Sequence, residues 1–514
     1  MKVVFVFFNF DCPVGLSHGL AVLSRELKQA GHGVELVHIS EVLGRPYEKR
    51  AVAQDVLSRS PDLVGFSFGS NHAWAARELA HEISLRSPGL PIVCGGIHST
   101  ILPEEVVRWP GVTAVAVGEA DNGRFVELVD DFEHGRLQPD MPGFWFNLDK
   151  KIVANTIGLP VDLSSGSHRM DVELFDHNAI LDAKRGYADA ISGRGCPFRC
   201  SYCHNEPMRK IMTQAMGGKR PPMVRKRPVQ EVLLELQEYS AVGGDKIRVF
   251  SFTDDVFPSN MTWTKSFLQG YREKFDLPLV FCAAPSQVTD ELAAAADDAG
   301  TYMVRIGVES GSDRIRMNVL NRSFSEKTIV RAVRSLQEHG VNVLTFFMTA
   351  IPGEKERDVW DTFRFAADLR PDALQFSVFW PYPKTRLHEE VVRRGLIEKG
   401  MDLAGNYLSV SPLKWPGKQQ VLYDRLRVIY DIAVNSWFSF GRPFKALLDK
   451  AIEMPDEEWH SGGLGRVRDR AGILVGEMLA GGREMYAAPF PDRPDVLLLL
   501  GRKRKRDLIN APQV

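Results

Sequence analysis

The chain has 514 residues, with 64 lysines and arginines against 65 aspartates and glutamates, 44% hydrophobic and 25% charged. That length holds several domains of ~100–200 residues and excludes a single small binding module. A formal charge of −1 excludes a global attraction to nucleic acid or membranes, so no stable nucleic-acid partner is expected, and the apolar share excludes a mainly disordered chain.

Met1-Lys2 leads into Val3–Phe8, an apolar run too short to span a bilayer and without a small-residue cleavage site, and it is read as a buried first strand. No apolar run reaches the ~20 residues of a membrane helix, so no transmembrane segment and a cytoplasmic location are expected. Six cysteines are too sparse for a disulfide framework, and the crowding of Cys196, Cys200 and Cys203 points to metal.

Residues 1–134 alternate apolar runs with helical patterns. Strands are predicted at Val3–Phe8, Val34–Ile39, Leu63–Phe68, Pro91–Cys94 and Val112–Val117. Leu16, Leu20, Leu23 and Leu27 fall on one helix face that Ser17 could cap. Near-continuous apolar strands with helices between them imply a doubly wound parallel sheet, whose ligands bind beyond the carboxyl ends of the strands. The loops there are Asn9–Gly15, Ser67–Asn71, Gly95–Thr100 and Gly118–Asn122. Gly65-Phe66-Ser67-Phe68-Gly69 also matches a nucleophile elbow, a hydrolase reading for which the domain offers Asp121, Glu127 and His134 only as helix-face residues.

Residues 135–185, with scattered Pro, Gly and Ser, read as a connector wrapped over a neighbouring domain. Strands resume near Ala188–Ser192, Ile247–Phe252, Leu279–Cys282, Met303–Gly307, Val343–Met348 and Leu374–Phe379. Val229, Val232, Leu233, Leu236 and Tyr239 mark one of the helices between them. Residues 186–398 thus predict a partial barrel of six units, short of the ~250 residues a closed eight-unit barrel takes. Residues 399–514 read as a more helical region carrying Trp415, and Arg502-Lys503-Arg504-Lys505-Arg506 as a solvated basic tail. Cys94 and Cys282 read as core residues, Cys12 as a packed thiol in a ligand-facing loop, and Trp380, Tyr382 and Trp415 as core fillers or pocket walls.

Gly193-Arg194-Gly195-Cys196-Pro197-Phe198-Arg199-Cys200-Ser201-Tyr202-Cys203-His204 follows a strand. Three soft thiolates on one tight loop suit zinc, which His204 could complete, or an iron–sulfur cluster with one iron left open. The spacing alone leaves both readings standing.

In this setting the loop resembles that of the radical S-adenosylmethionine (SAM) superfamily, Cys-x-x-x-Cys-x-x-Cys after the first strand of a six-unit partial barrel. Phe252-Thr253-Asp254-Asp255-Val256-Phe257, Arg305-Ile306-Gly307-Val308-Glu309-Ser310-Gly311, Phe347-Met348-Thr349-Ala350-Ile351-Pro352-Gly353-Glu354 and Trp380-Pro381-Tyr382-Pro383 resemble the family's later strand ends. The resemblance covers residues 187–395. It implies a 4Fe–4S cluster on Cys196, Cys200 and Cys203. For SAM it implies Asp254 or Asp255 on the ammonium, Glu309 on a ribose hydroxyl or ammonium, Tyr202 and Ile351 beside the adenine, and Arg322 as a carboxylate partner. Read from the residues alone, the Asp pair could cap the next helix and Arg322 could be a solvated flanking charge.

Residues 1–134 resemble the cobalamin-binding domain fused ahead of many such enzymes, through Pro13-Val14-Gly15-Leu16-Ser17-His18-Gly19-Leu20, Gly95-Gly96-Ile97-His98-Ser99-Thr100 and Val117-Gly118-Glu119-Ala120. The implied cobalamin contacts are Leu16, Ser17, Ser67, Gly95, Gly96, His98, Gly118 and Glu119, the glycines because a flat corrin needs close backbone approach. The Asp-x-His-x-x-Gly signature is replaced by Asp11-Cys12-Pro13, so no histidine is expected on cobalt, and His18 is expected to pack or hydrogen-bond at the helix start.

The resemblance implies a cobalamin-dependent radical SAM methyltransferase acting on an unactivated carbon of a small molecule, through a 5′-deoxyadenosyl radical and methylcobalamin. It also implies an external electron donor such as flavodoxin or ferredoxin. A radical cyclase or rearrangement enzyme is the alternative on the same scaffold, and a non-catalytic cobalamin or iron–sulfur sensor the alternative outside it.

Overall fold

The computed structural model describes residues 1–423 apart from 149–150, 165–167, 406, 408–410, 418 and 421. The basic run at 502–506 and most of the region from 399 onward lie outside the described residues. Two compact units divide the chain: Met1–Leu277 with Pro381–Glu389 and Lys399–Asn406, and Pro278–Trp380 with Glu390–Glu398 and the segment from Tyr407. Among the described residues no helix is long and apolar enough to cross a membrane.

In the first unit, β1 (Lys2–Phe8), β2 (Gly33–Ile39), β3 (Leu63–Ser67), β4 (Ile92–Gly95) and β5 (Ala114–Ala116) run parallel in the order β2-β1-β3-β4-β5. Alternate residues of β1 serve opposite cores, as the strand's period of two requires. Val4, Val6 and Phe8 pack toward Val52, Val56 and Leu79, from α2 (Lys49–Ser58) and α3 (Ala73–Arg86). Val3 and Phe5 pack toward Leu20, Leu27 and Leu128, from α1 (His18–Gln29) and α6 (Arg124–Glu133). Both faces are covered, which is why these strands read as unbroken apolar runs. The short helices α4 (Ile97–Ile101) and α5 (Pro103–Val106) follow β4.

The Ser17 hydroxyl caps α1 by accepting from the Leu20 N–H at 3.4 Å, as predicted. Leu16 lies ahead of that cap, so it is outside the helix and not part of its apolar stripe.

The connector is more ordered than its composition suggested. Strands β6 (Phe144–Leu148) and β7 (Lys151–Val153) add antiparallel to β5 and extend the sheet to seven strands. Phe144 and Phe146 are fully buried while Trp145 and Asn147 are partly exposed, the alternation of a one-faced edge hairpin. The Asn155 amide ties the hairpin together by donating to the carbonyls of Pro139, Met141 and Phe144. After α7 (His177–Ala183), β8 (Tyr187–Ala190) pairs in parallel with β11 (Val249–Phe252). Between them lie the antiparallel pair β9 (Gly193–Arg194) and β10 (Arg225–Lys226), with α8 (Asn205–Ala215) inside and α9 (Val229–Gly243) after it.

In the second unit, β12 (Leu279–Ala283), β13 (Thr301–Glu309), β14 (Asn342–Thr349) and β15 (Ala373–Val378) pair successively in parallel. The helix Glu326–Glu338, which leads into β14, buries Ile329, Ala332, Val333 and Leu336, one stripe at the helical period.

Candidate cofactor-binding site

The cysteine loop grows from a stem that only glycine permits. Gly195 has φ +88, and a Cβ there would overlap the Met223 carbonyl oxygen; a Cβ on Gly193 would overlap that of Arg225. The two glycines let β10 seat against β9, with Arg194 opposite Arg225 and Gly193 opposite Lys226. Beyond the stem, Cys200 is buried and Cys196 and Cys203 are partly exposed. Buried Arg209 braces the loop from α8, donating to the carbonyls of Cys196 at 2.9 Å and Phe198 at 3.2 Å. The Cys203 N–H donates to the Cys200 carbonyl at 3.2 Å, and the Ser201 carbonyl accepts from the Leu387 N–H at 3.0 Å. Burial pushes the Cys203 thiol up to about 12, against the Asn205 contact and with Asp255, Cys200 and Cys196 adding to it. A bound cation reverses that balance, so this donor set fits a soft metal centre. His204 packs its ring 4.0 Å from that of Tyr382, and burial lowers it to about 4, a neutral imidazole.

The Asp pair after β11 divides its labour. Asp254 is buried: one oxygen accepts from the Ser192 N–H at 2.9 Å, the other from the Ser192 hydroxyl at 2.6 Å and Lys226 Nζ at 2.9 Å. Both its oxygens already accept hydrogen bonds, from Ser192 and from Lys226 of the stem, and it caps no helix. Asp255 is exposed and faces Asn205; local desolvation raises its carboxyl, Asn205 opposes that, and Asp254 adds to it. Tyr202 is half-buried on the loop.

Glu309, Arg322 and Ile351 lie in the second unit. Glu309 ends β13 at φ +70, just past a register shift, and holds its side chain 4.0 Å from Arg322. Arg322 donates to the Gly307 carbonyl at 2.5 Å and is 11% exposed, so it is not a solvated flanking charge. Ile351 is fully buried, and its N–H donates to Glu354 Oε2 at 3.3 Å.

A cavity of ≈ 320 Å³ opens at the carboxyl ends of β3, β4 and β5. Ser67, Gly95, Gly96, Gly118 and Glu119 line it, with Leu20 and Leu23 of α1 and, from later in the chain, Leu163, His168 and Arg194. Gly96 has φ +95, and a Cβ there would lie 2.6 Å from the Phe68 carbonyl oxygen. A Cβ on Gly95 would meet only ordinary contacts, the nearest 3.6 Å away, so its bareness serves the space itself.

Leu16, Ser17 and His98 do not line the cavity. His98 is buried, Nδ1 3.1 Å from the Ser70 hydroxyl, its ring stacked on Trp109, and burial lowers it to about 4. His18 does line it, with Nε2 3.2 Å from the Thr253 hydroxyl and Nδ1 2.8 Å from the Met170 sulfur; burial lowers its pKa against the pull of Asp189, Glu235 and Asp254. Cys12 accepts from the Asn9 amide at 2.9 Å, and burial pushes its thiol up to about 11. The hydrolase reading fails on its partners: His134 Nδ1 bonds the Asp130 carbonyl, and Asp121 holds Arg194.

The residues that composition did not reveal are the basic ones around the stem. Arg225 forks onto Glu119 at 2.6 and 2.7 Å, and Arg194 onto Asp121 at 2.7 and 3.1 Å. Arg227 forks onto Glu235 of α9 at 2.8 and 3.0 Å, the two side chains 3% and 0% exposed. Arg225-Lys226-Arg227 thus holds three acids, Glu119, Asp254 and Glu235, from three parts of the first unit. The consecutive charges in a strand-like setting were the available signal.

Residues 190–366 match the family model "Radical SAM superfamily" and residues 13–126 the "B12 binding domain". The chain is 26% identical over 393 residues to an uncharacterized methyltransferase of Pyrococcus horikoshii, covering 75% of this chain and 79% of that protein. It is 22% identical over 410 residues to the anaerobic magnesium-protoporphyrin IX monomethyl ester cyclase of Rubrivivax gelatinosus, covering 76% and 70%. The fold is shared with the radical SAM methyltransferase TsrM of Kitasatospora setae, at TM-score 0.61, 21% identity and coverage of 80% and 81%. With a B12-binding domain ahead of a radical SAM domain, the chain has the two-domain make-up of the cobalamin-dependent radical SAM enzymes, whose cofactors are a 4Fe–4S cluster, SAM and cobalamin.

Proposed function

We propose that this enzyme methylates an unactivated carbon of a small-molecule substrate. The observation that carries the reading is that one compact unit holds both a three-thiol loop and a glycine-lined cavity, tied together through a single ribbon. When bound, the cluster supplies the electron that cleaves SAM to a 5′-deoxyadenosyl radical, and cobalamin supplies the methyl group. Similarity to the Pyrococcus horikoshii methyltransferase supports methyl transfer.

In this reading Cys196, Cys200 and Cys203 ligate the cluster, and Arg209 fixes the loop that carries them. Asp255 receives the SAM ammonium while Asp254 supports the stem, and Tyr202, Glu309, Arg322 and Ile351 complete the SAM contacts. Ser67, Gly95, Gly96 and Gly118 bound the cobalamin site, with Ser17 and Leu16 shaping the entry to α1, His98 backing the loop after β4 and Glu119 holding the loop after β5. His18, engaged by Thr253 and Met170, keeps its place in the wall. The domains take their roles as residues 1–134 for cobalamin, 135–185 as connector, 186–398 as radical core and 399–514 as the substrate-shaping region. Electrons come from an external flavodoxin or ferredoxin.

A test independent of the substrate uses SAM with a labelled methyl group and anaerobic enzyme loaded with reduced cobalamin. Label retained on protein-bound cobalamin, with stoichiometric S-adenosylhomocysteine, is expected; SAM cleavage without either refutes methyl transfer. Ring closure is the second reading, favoured by the similarity to the Rubrivivax gelatinosus cyclase, and it predicts that second outcome.

A further inference from the structure

The acids after β5 and the arginines of the stem form one lattice. Glu119 accepts both fork nitrogens of Arg225 and the Val161 N–H at 2.8 Å, and lies 3.3 Å from Arg194. Asp121 accepts both fork nitrogens of Arg194, with His168 Nδ1 at 3.4 Å. The four charges sum to zero and are well sheltered, Asp121 at 6% and Arg225 at 11% exposed.

Surface ion pairs contribute little because both side chains must be ordered first. Here both ends are already stiff. On one side, Gly193 and Gly195 clamp β9 to β10, and Arg194 and Arg225 leave the ribbon from register-paired positions. On the other, the Gly118 N–H donates to the Thr100 hydroxyl at 3.1 Å, and the Asn122 and Gly123 N–H groups donate to the Glu26 carboxylate at 2.8 and 3.2 Å. Burial raises both lattice carboxyls, but Arg225 and Arg194 outweigh it at Glu119, and His168 with Arg194 outweighs it at Asp121, so both carboxyls are held below the usual carboxylate range. Gly118, Glu119, Asp121 and Arg194 also line the cavity, so the lattice forms part of its wall.

We propose that Arg194 and Arg225 are positioning residues which, through Glu119 and Asp121, fix the stem of the cysteine loop against the loop after β5 and so hold the cluster site and the cobalamin site in one spatial register. The proposal rests on the cofactor assignment above. A guanidinium is required because only its planar fork engages both carboxylate oxygens at once.

Hydrogen exchange on the full-length protein tests the coupling without any cofactor. Glu119→Gln, made in the cobalamin-binding half, is expected to speed exchange across residues 193–203 by about tenfold while leaving β1–β4 unchanged. Arg225→Lys, a milder change that keeps the charge, is expected to act in the same direction on residues 117–123. In protein loaded with both cofactors, either variant broadens the distribution of distances between reduced cluster and cob(II)alamin measured by pulsed electron paramagnetic resonance, and Arg225→Glu with Glu119→Arg narrows it again. Unchanged exchange at 193–203 in Glu119→Gln overturns the proposal, as does a wild-type distance distribution in both variants. If Glu119→Gln loosens β1–β4 as well, Arg225→Lys decides: local loosening sustains the proposal and none overturns it. Failure of wild type to cleave SAM refutes the functional reading and leaves the exchange result to stand or fall on its own.

Discussion

Arg227→Met removes one half of the most deeply buried ion pair at the site and allows a magnitude to be worked out. Arg227 gives Glu235 two hydrogen bonds, at 2.8 and 3.0 Å, and a third to the Ile191 carbonyl at 3.0 Å; Glu235 also accepts from the Met170 N–H at 2.6 Å. With Glu235 fully buried, water does not replace the lost partner. Two charge-assisted bonds at ~1.5–3 kcal/mol each give ~3–6 kcal/mol, in line with the ~3–5 kcal/mol found when one member of a buried pair is removed. At roughly 2 °C per kcal/mol for a unit of this size, the first unit should melt about 6–10 °C lower. Circular dichroism melts of Arg227→Met, Glu235→Leu and the double variant provide the assay. The double variant should recover most of the loss, because two apolar side chains leave no uncompensated charge. A single variant within ~1 kcal/mol of wild type, or a double variant as unstable as the singles, would refute the reasoning.

Three further perturbations follow from the same geometry. Gly195→Ala places a Cβ at φ +88 against the Met223 carbonyl; iron incorporation after reconstitution should fall severalfold while the first sheet keeps its melting behaviour, and full iron content would contradict the role given to the stem. Gly95→Leu fills the cavity without backbone strain, so cobalamin affinity should drop about tenfold or more, ~1.4 kcal/mol, with cluster content unchanged; equal affinity would place cobalamin elsewhere. Glu354 is buried in the second unit, accepts from the Tyr423 hydroxyl at 3.0 Å, and is raised by that burial to about 8. Between pH ~4.5 and that value the folded state keeps a proton the unfolded state has lost. Stability from this group is therefore complete at acid pH and declines by ~1.4 kcal/mol per unit as pH rises toward 8. Urea titrations at pH 6, 7 and 8 should show that slope in wild type and a flatter one in Glu354→Gln; parallel slopes would refute it.

The eleven strands predicted from apolar runs are present because a parallel strand covered on both faces carries its signature in every residue. The cysteine loop is legible for a similar reason: Cys196, Cys200 and Cys203 lie close together in the sequence. The edge hairpin was hidden because five residues of alternation at Phe144–Leu148 sit among Pro and Gly that read as loop. The stem ribbon was hidden because its strands are two residues long and its partners distant, with 73 residues between Arg194 and Asp121 and 106 between Arg225 and Glu119. Asp254 and Asp255 were equivalent on paper. They separate only because Ser192 and Lys226 converge on one of them, a matter of tertiary placement. Ser17 was found from local capping rules, whereas the placement of His98 away from the cavity depends on Ser70 and Trp109, which no local pattern ties to it.

The proposed chemistry requires a working cluster and a cobalamin site on one chain. The most direct measurement is SAM cleavage by anaerobic, reconstituted, cobalamin-loaded protein under reduction, with mass detection of 5′-deoxyadenosine, comparing wild type with the Cys196→Ala/Cys200→Ala/Cys203→Ala variant. The account predicts 5′-deoxyadenosine from wild type alone, cobalamin bound in both, and iron lost only from the variant. No cluster and no 5′-deoxyadenosine in wild type would contradict it and return the three cysteines to zinc.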